Sequence, residues 1–93
     1  MGRASKRKPG RLAEKLLQIR FALELSQNEM IRRLELSDEL MQASISGYEL
    51  GTRVTPLSVI LRYAEVAGVC TDILIDDRLD LPAKLPAKPK HRA

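Results

Sequence analysis

The sequence predicts a compact all-α domain of five short helices, with a basic segment at each end. Three observations carry that prediction. Apolar residues recur at spacings of three and four, helix caps and glycine stops divide the chain at short intervals, and nothing alternates apolar with polar long enough to make a strand. At 93 residues, 44% hydrophobic and 30% charged, with one Phe, two Tyr and no Trp, the chain fits one small domain with a modest core. A substrate domain beside a cofactor domain does not fit in that length.

The first ten residues place Gly2, Pro9 and Gly10 among positive charges and read as a flexible basic arm. The first helix is expected from about Arg11 to Glu24, where Leu12, Leu16, Ile19 and Leu23 form the stripe of an amphipathic helix. Ser26-Gln27-Asn28-Glu29 is a capping box and opens a second helix of about eight residues, with Met30, Ile31 and Leu34 as its apolar contacts. A polar connection through Glu35-Leu36-Ser37-Asp38-Glu39 leads to a third helix, expected from about Leu40 to Leu50. Its core contacts would be Ile45, Tyr48 and Met41, and Gly51 is its stop.

Thr55-Pro56 reads as an N-cap followed by proline at the first helical position, opening a fourth helix. Leu57, Ile60, Leu61, Ala64 and Ala67 are its expected inner face, and Gly68 closes it. Thr71-Asp72 would cap a last short helix through Ile75, with Ile73 and Leu74 closing the core. Three domain segments follow: an arm over 1–10, a folded unit over 11–77, and a proline-rich basic tail over 78–93. The tail repeats Leu-Pro-Ala-Lys and holds three of the five prolines, so it is expected to be extended. It either packs through Leu79, Leu81 and Leu85 or lies loose in solvent.

Charge and composition narrow the function. Residues 1–11 carry five Lys and Arg and residues 84–93 carry four, in both cases without an acid. The remaining seven bases lie between them with all twelve acids, a balance of −5. Such tails bind polyanions loosely or simply solubilise. Cys70 alone makes no disulfide, and with His91 it falls short of a structural zinc site. Cys70 is expected to be a small buried apolar residue, and Asp76, Asp77 and Asp80 solvated acids rather than a calcium loop. No catalytic group stands out, so neither an enzyme nor a metal or cofactor is expected. No apolar stretch approaches the ~18 residues of a membrane span, and Met1 to Lys8 lack the apolar run of a signal peptide, so no membrane partner and a cytoplasmic location are expected.

The order of these features resembles the Cro and lambda-repressor type helix-turn-helix family, also called Xre-like regulators, of prokaryotes and phages. The matching residues are Leu25-Ser26-Gln27-Asn28-Glu29-Met30 and Ile45-Ser46-Gly47-Tyr48-Glu49-Leu50-Gly51-Thr52-Arg53. Leu57 to Leu74 continues the match, which covers about two thirds of the chain. In two places the chain departs from that pattern. The connection between the second and third helices is about four residues longer than in the family, and proline arrives one residue later after Gly51. Either Ser37 or Asp38 caps a third helix extended backwards by a turn, or a short extra turn precedes it.

The resemblance implies a lambda-repressor-like fold and sequence-specific binding of double-stranded DNA by a small transcriptional regulator. The third helix would lie in the major groove. Gln42, Ala43, Ser44 and Ser46 are the implied base contacts, Gln42 suiting an adenine edge, while Gly47 can read nothing with a side chain. Gln27, Asn28 and Arg53 are the implied phosphate contacts, with Arg7, Lys8 and Arg11 following the backbone or entering the minor groove as an arm. Tyr48 is expected in the core, and Glu49 bonded to backbone or to a neighbouring side chain. A homodimer on a palindromic site is expected, paired through the last helix or the Leu79 to Leu85 arm. The alternative is an antitoxin-like or adaptor protein-interaction module holding a protein partner.

Overall fold

The computed structural model describes residues 10–87, in which there are five helices and no strand. They are α1 (Leu12–Ala22), α2 (Gln27–Leu34), α3 (Gln42–Leu50), α4 (Leu57–Ala67) and α5 (Thr71–Ile75). The expected arm, apart from Gly10, and the last tail residues lie outside the described residues. Helix α1 packs on α3, α4 and α5, and α2 on α3 and α4, so one core sits between them.

The stripe predicted for the first helix is the face that α1 buries: Leu12, Leu16, Ile19 and Leu23 are all in the core. The helix stops at Ala22, two residues before the predicted end. Glu24 turns left-handed at φ 60° so that the Leu25 amide can donate to the Arg20 carbonyl at 3.2 Å. This is a Schellman closure with glutamate where glycine is usual. Helix α2 ends the same way at Glu35, φ 62°. Its start is the predicted capping box: the Glu29 amide donates to Ser26 Oγ at 3.1 Å, and the Ser26 amide donates to Glu29 Oε1 at 2.7 Å.

The longer connection resolves into a short extra turn. The amides of Glu39 and Leu40 both donate to the Leu36 carbonyl, and Leu36 and Leu40 pack against the core. Ser37 and Asp38 are exposed and outside any helix. Helix α3 therefore begins at Gln42 rather than Leu40, and Met41 is its exposed N-cap residue instead of a core contact.

The inner face of α4 differs from the prediction. Ile60, Ala64 and Ala67 are buried as expected, but their buried neighbours are Val59 and Tyr63, while Leu57 is 77% and Leu61 48% exposed. Both flanks of the Ile60 to Ala67 line are apolar, and the Tyr63 ring, fully buried, fixes which one turns inward. Thr55 forms no cap bond. Pro56, extended at ψ 152°, is the N-cap residue, so proline stands one position before the first helical one. Helix α5 likewise starts from Cys70 with no side-chain cap. At that corner Cys70 is exposed, not the buried apolar residue expected.

Residues 79–87 form neither helix nor strand, with bends at 83–84 and 86–87, and pack in part. Leu81, Leu85 and Ala87 lie against the core, and the Ala87 amide donates to the Ala67 carbonyl at 3.3 Å. Leu79 contributes its carbonyl rather than its side chain. Together with the carbonyls of Ile73 and Asp76 it accepts from Lys15 Nζ, at 2.7, 2.7 and 3.0 Å. Lys15 is wholly buried, and its three ammonium protons match three acceptors.

Candidate nucleic-acid interface

The first turns of α2 and α3 lie side by side, and a line of polar side chains joins them. Gln42 Nε2 donates to Gln27 Oε1 at 3.1 Å, and Gln27 Nε2 donates to Glu49 Oε1 at 3.2 Å. Glu49 in turn accepts two bonds from Arg20, Nε to Oε2 at 2.6 Å and Nη2 to Oε1 at 2.9 Å. Arg20 also donates through Nη1 to the Leu25 carbonyl at 3.1 Å. One buried ion pair thus ties α1 to α3 and fixes the loop ahead of α2. Its carboxylate holds Arg20 above the ordinary guanidinium range.

This line orients Gln42 without exhausting it. The Gln42 amide uses one N–H on Gln27, which leaves the other N–H and the oxygen, the donor and acceptor that an adenine edge requires. Gln42 and Ala43 are exposed, and Ser46 is half-buried. Ser44 is buried, and its hydroxyl accepts from the Met41 amide at 3.3 Å and from Arg53 Nη1 at 3.3 Å. Gln27 is half-buried and Asn28 exposed at the start of α2, where the first backbone N–H groups of a helix have no partner inside it.

Arg53 is exposed and lies along α3, reaching back past Gly47 to Ser44. Arg11 is engaged elsewhere. Its guanidinium meets Asp80 at 2.7 Å and Glu14 at 3.3 Å and donates to the Asp77 carbonyl at 3.0 Å, and the carboxylate of Asp80 above all raises its pKa. The Asp77 carboxylate accepts from the Gly10 and Arg11 amides at 2.9 and 3.0 Å, which holds it below the ordinary range. Asp76 is pulled down to about 2 by its pairing with Arg78. The three acids expected to be solvated are therefore each paired. Arg7 and Lys8 lie outside the described residues.

The structure thus gathers Gln27, Gln42, Ser44 and Arg53 around the start of α3 and leaves Arg11 with the C-terminal segment. Sequence reasoning missed Arg20 and Lys15. For Lys15 a signal existed, a lysine three residues after Leu12 on an otherwise apolar stripe. Tyr63 contributes a buried hydroxyl with no partner among the described residues, pushed up by burial and then by nearby Glu49. Among the described residues no group of three His, Cys, Asp or Glu is placed to hold a metal ion, and no helix is long and apolar enough to cross a membrane. No protein-family model, curated protein or solved structure matches this chain.

Proposed function

We propose that this protein binds double-stranded DNA in a sequence-specific manner, as a small transcriptional regulator with a lambda-repressor-like helix-turn-helix that lays α3 in the major groove. The observation that carries the reading is the Gln42–Gln27–Glu49–Arg20 line. It holds the starts of α2 and α3 in one fixed relation and presents the remaining Gln42 groups outward. Groove readers need that rigidity, since a base contact gains specificity only when its donor and acceptor are oriented beforehand.

In this reading Gln42 takes an adenine edge, Ala43 meets a thymine methyl, Ser46 supplies a hydroxyl, and Ser44 positions the start of the helix. Gln27 and Asn28 face a phosphate at the positive end of α2. The described domain is acidic, so the basic ends, with Arg7 and Lys8, supply much of the attraction. A homodimer doubles the few contacts of one helix and calls for a palindromic site. Selection from random duplexes at near-physiological salt tests the reading, with an enriched palindrome expected and its adenine preference lost in Gln42→Ala. No enriched sequence would overturn it.

One observation favours the adaptor reading instead. Leu50, Val54, Leu57 and Leu61 are large apolar side chains exposed from the end of α3 into α4. Loose, sequence-independent DNA binding together with a monomer in sedimentation would support that alternative.

A further inference from the structure

Glycine at position 47 is unusual in its setting. It lies inside α3, where glycine is destabilising relative to alanine, and it sits about one turn beyond Ala43, at a position that is buried although it carries no side chain. The structure shows what the missing side chain makes room for. A Cβ built on Gly47 would stand 2.7 Å from both Cγ and Cδ of Arg53 and 3.1 Å from its Cβ. The stem of Arg53 therefore occupies the space that a residue at 47 would fill.

The backbone is arranged for the same approach. The amides of Thr52 and Arg53 donate to the Gly47 carbonyl at 3.0 and 3.2 Å, folding the chain after α3 back against the helix. From there Arg53 runs toward the start of α3, and Nη1 donates to Ser44 Oγ at 3.3 Å. Arg11, Arg20, Arg62 and Arg78 are each paired with a carboxylate. Among the described residues Arg53, like Arg32 and Arg33 on α2, has no such partner, and it is the one of these three that lies along α3. A loop arginine that only met a phosphate would need neither the gap nor the hydroxyl, because a phosphate accepts from many directions.

We infer that Arg53, laid along α3 through the gap at Gly47 and held by Ser44, reads a guanine in the major groove. Its planar fork matches the O6 and N7 acceptors of that base, and no carboxylate among the described residues pairs with it. The inference rests on the DNA-binding reading above and replaces the phosphate contact implied by the resemblance. It gives α3 the long reading side chain its own sequence lacks.

Selection from random duplexes with the full chain, Arg53→Ala and Gly47→Ala tests it, followed by salt titration on the selected site. The full chain is expected to prefer guanine at one position per half-site by roughly 5- to 150-fold. Both variants should lose that preference, keep the adenine preference and retain the salt dependence, with Gly47→Ala folded by circular dichroism. If Arg53→Ala instead weakens every sequence alike and makes the salt slope shallower by about 1, Arg53 is a phosphate contact and the inference falls. An unchanged site in Arg53→Ala also overturns it, while leaving DNA recognition intact. Guanine preference lost in Arg53→Ala but kept in Gly47→Ala overturns the role of the gap. No enriched sequence for the full chain overturns the parent reading and this one with it.

Discussion

Replacing Lys15 by methionine keeps the stem and removes the ammonium. Three carbonyls, of Ile73, Asp76 and Leu79, then lose a donor that stands at 2.7 to 3.0 Å in a position with no solvent exposure. Each buried group left without a partner costs about 1–3 kcal/mol. Against that stands the relief of a buried cation, whose desolvation is worth several kcal/mol. Because the lysine protons match the carbonyls one for one, the loss should dominate, at about 3–5 kcal/mol, the lower part of the summed cost of three unpaired carbonyls once the relieved desolvation is set against it. A domain of this size holds roughly 5–15 kcal/mol in all, so Lys15→Met should lower the melting temperature by well over ~10 °C. Urea unfolding followed by circular dichroism measures the difference directly. A change below about 1 kcal/mol at unchanged m-value would refute the reasoning, showing that desolvation of the ammonium cancels its three bonds.

Tyr63→Phe should be neutral or stabilising by up to about 1 kcal/mol in thermal melts, because the hydroxyl it removes is buried with no partner among the described residues. Gly51→Ala should cost about 1–2 kcal/mol from its φ of 77°, and Ala13→Gly should not rescue it, since the added Cβ meets Ala13 only at an ordinary 3.6 Å. Asp76, lowered from 3.8 to about 2 chiefly by its side-chain bond with Arg78, contributes stability above its unfolded pKa that is lost as pH falls through that interval. Stability measured from pH 5 to 2 should fall less steeply in Asp76→Asn than in the native chain. Removing residues 1–9, which carry Arg3, Lys6, Arg7 and Lys8, should flatten the logarithmic salt dependence of DNA binding by up to roughly 3 to 4 in slope, read by titration at several salt concentrations.

What could be read from the sequence was what neighbours in the chain decide. The capping box at Ser26, the stops at Gly51 and Gly68 and the stripe on α1 depend on residues within about one turn of each other, and all four stand in the structure. The inner face of α4 depends on which of two apolar flanks meets the core, and that is settled by the fit of the Tyr63 ring. Glu24 and Glu35 end their helices in a left-handed conformation that no local preference of glutamate announces. At the candidate site, the resemblance of the sequence to a helix-turn-helix pattern singled out Gln42, Gln27 and Arg53. The bond from Gln27 to Glu49 and the passage of Arg53 over Gly47 join residues whose proximity exists only after packing.

The contacts of Lys15, Gly10 and Arg11 with residues 73–80 span 58 to 69 positions of chain. Such closures are the slowest to form, and they cannot form until the far segment has been synthesised and has left the ribosome. Until then the helix over Leu12–Ala22 carries a buried-type lysine with nothing to receive its protons. Fragments ending before Leu79 would lack one of the three acceptors and should be less stable and more readily cut by proteases than the full chain. The lysine thereby ties part of the domain's stability to translation through that leucine, whose carbonyl is one of its three acceptors.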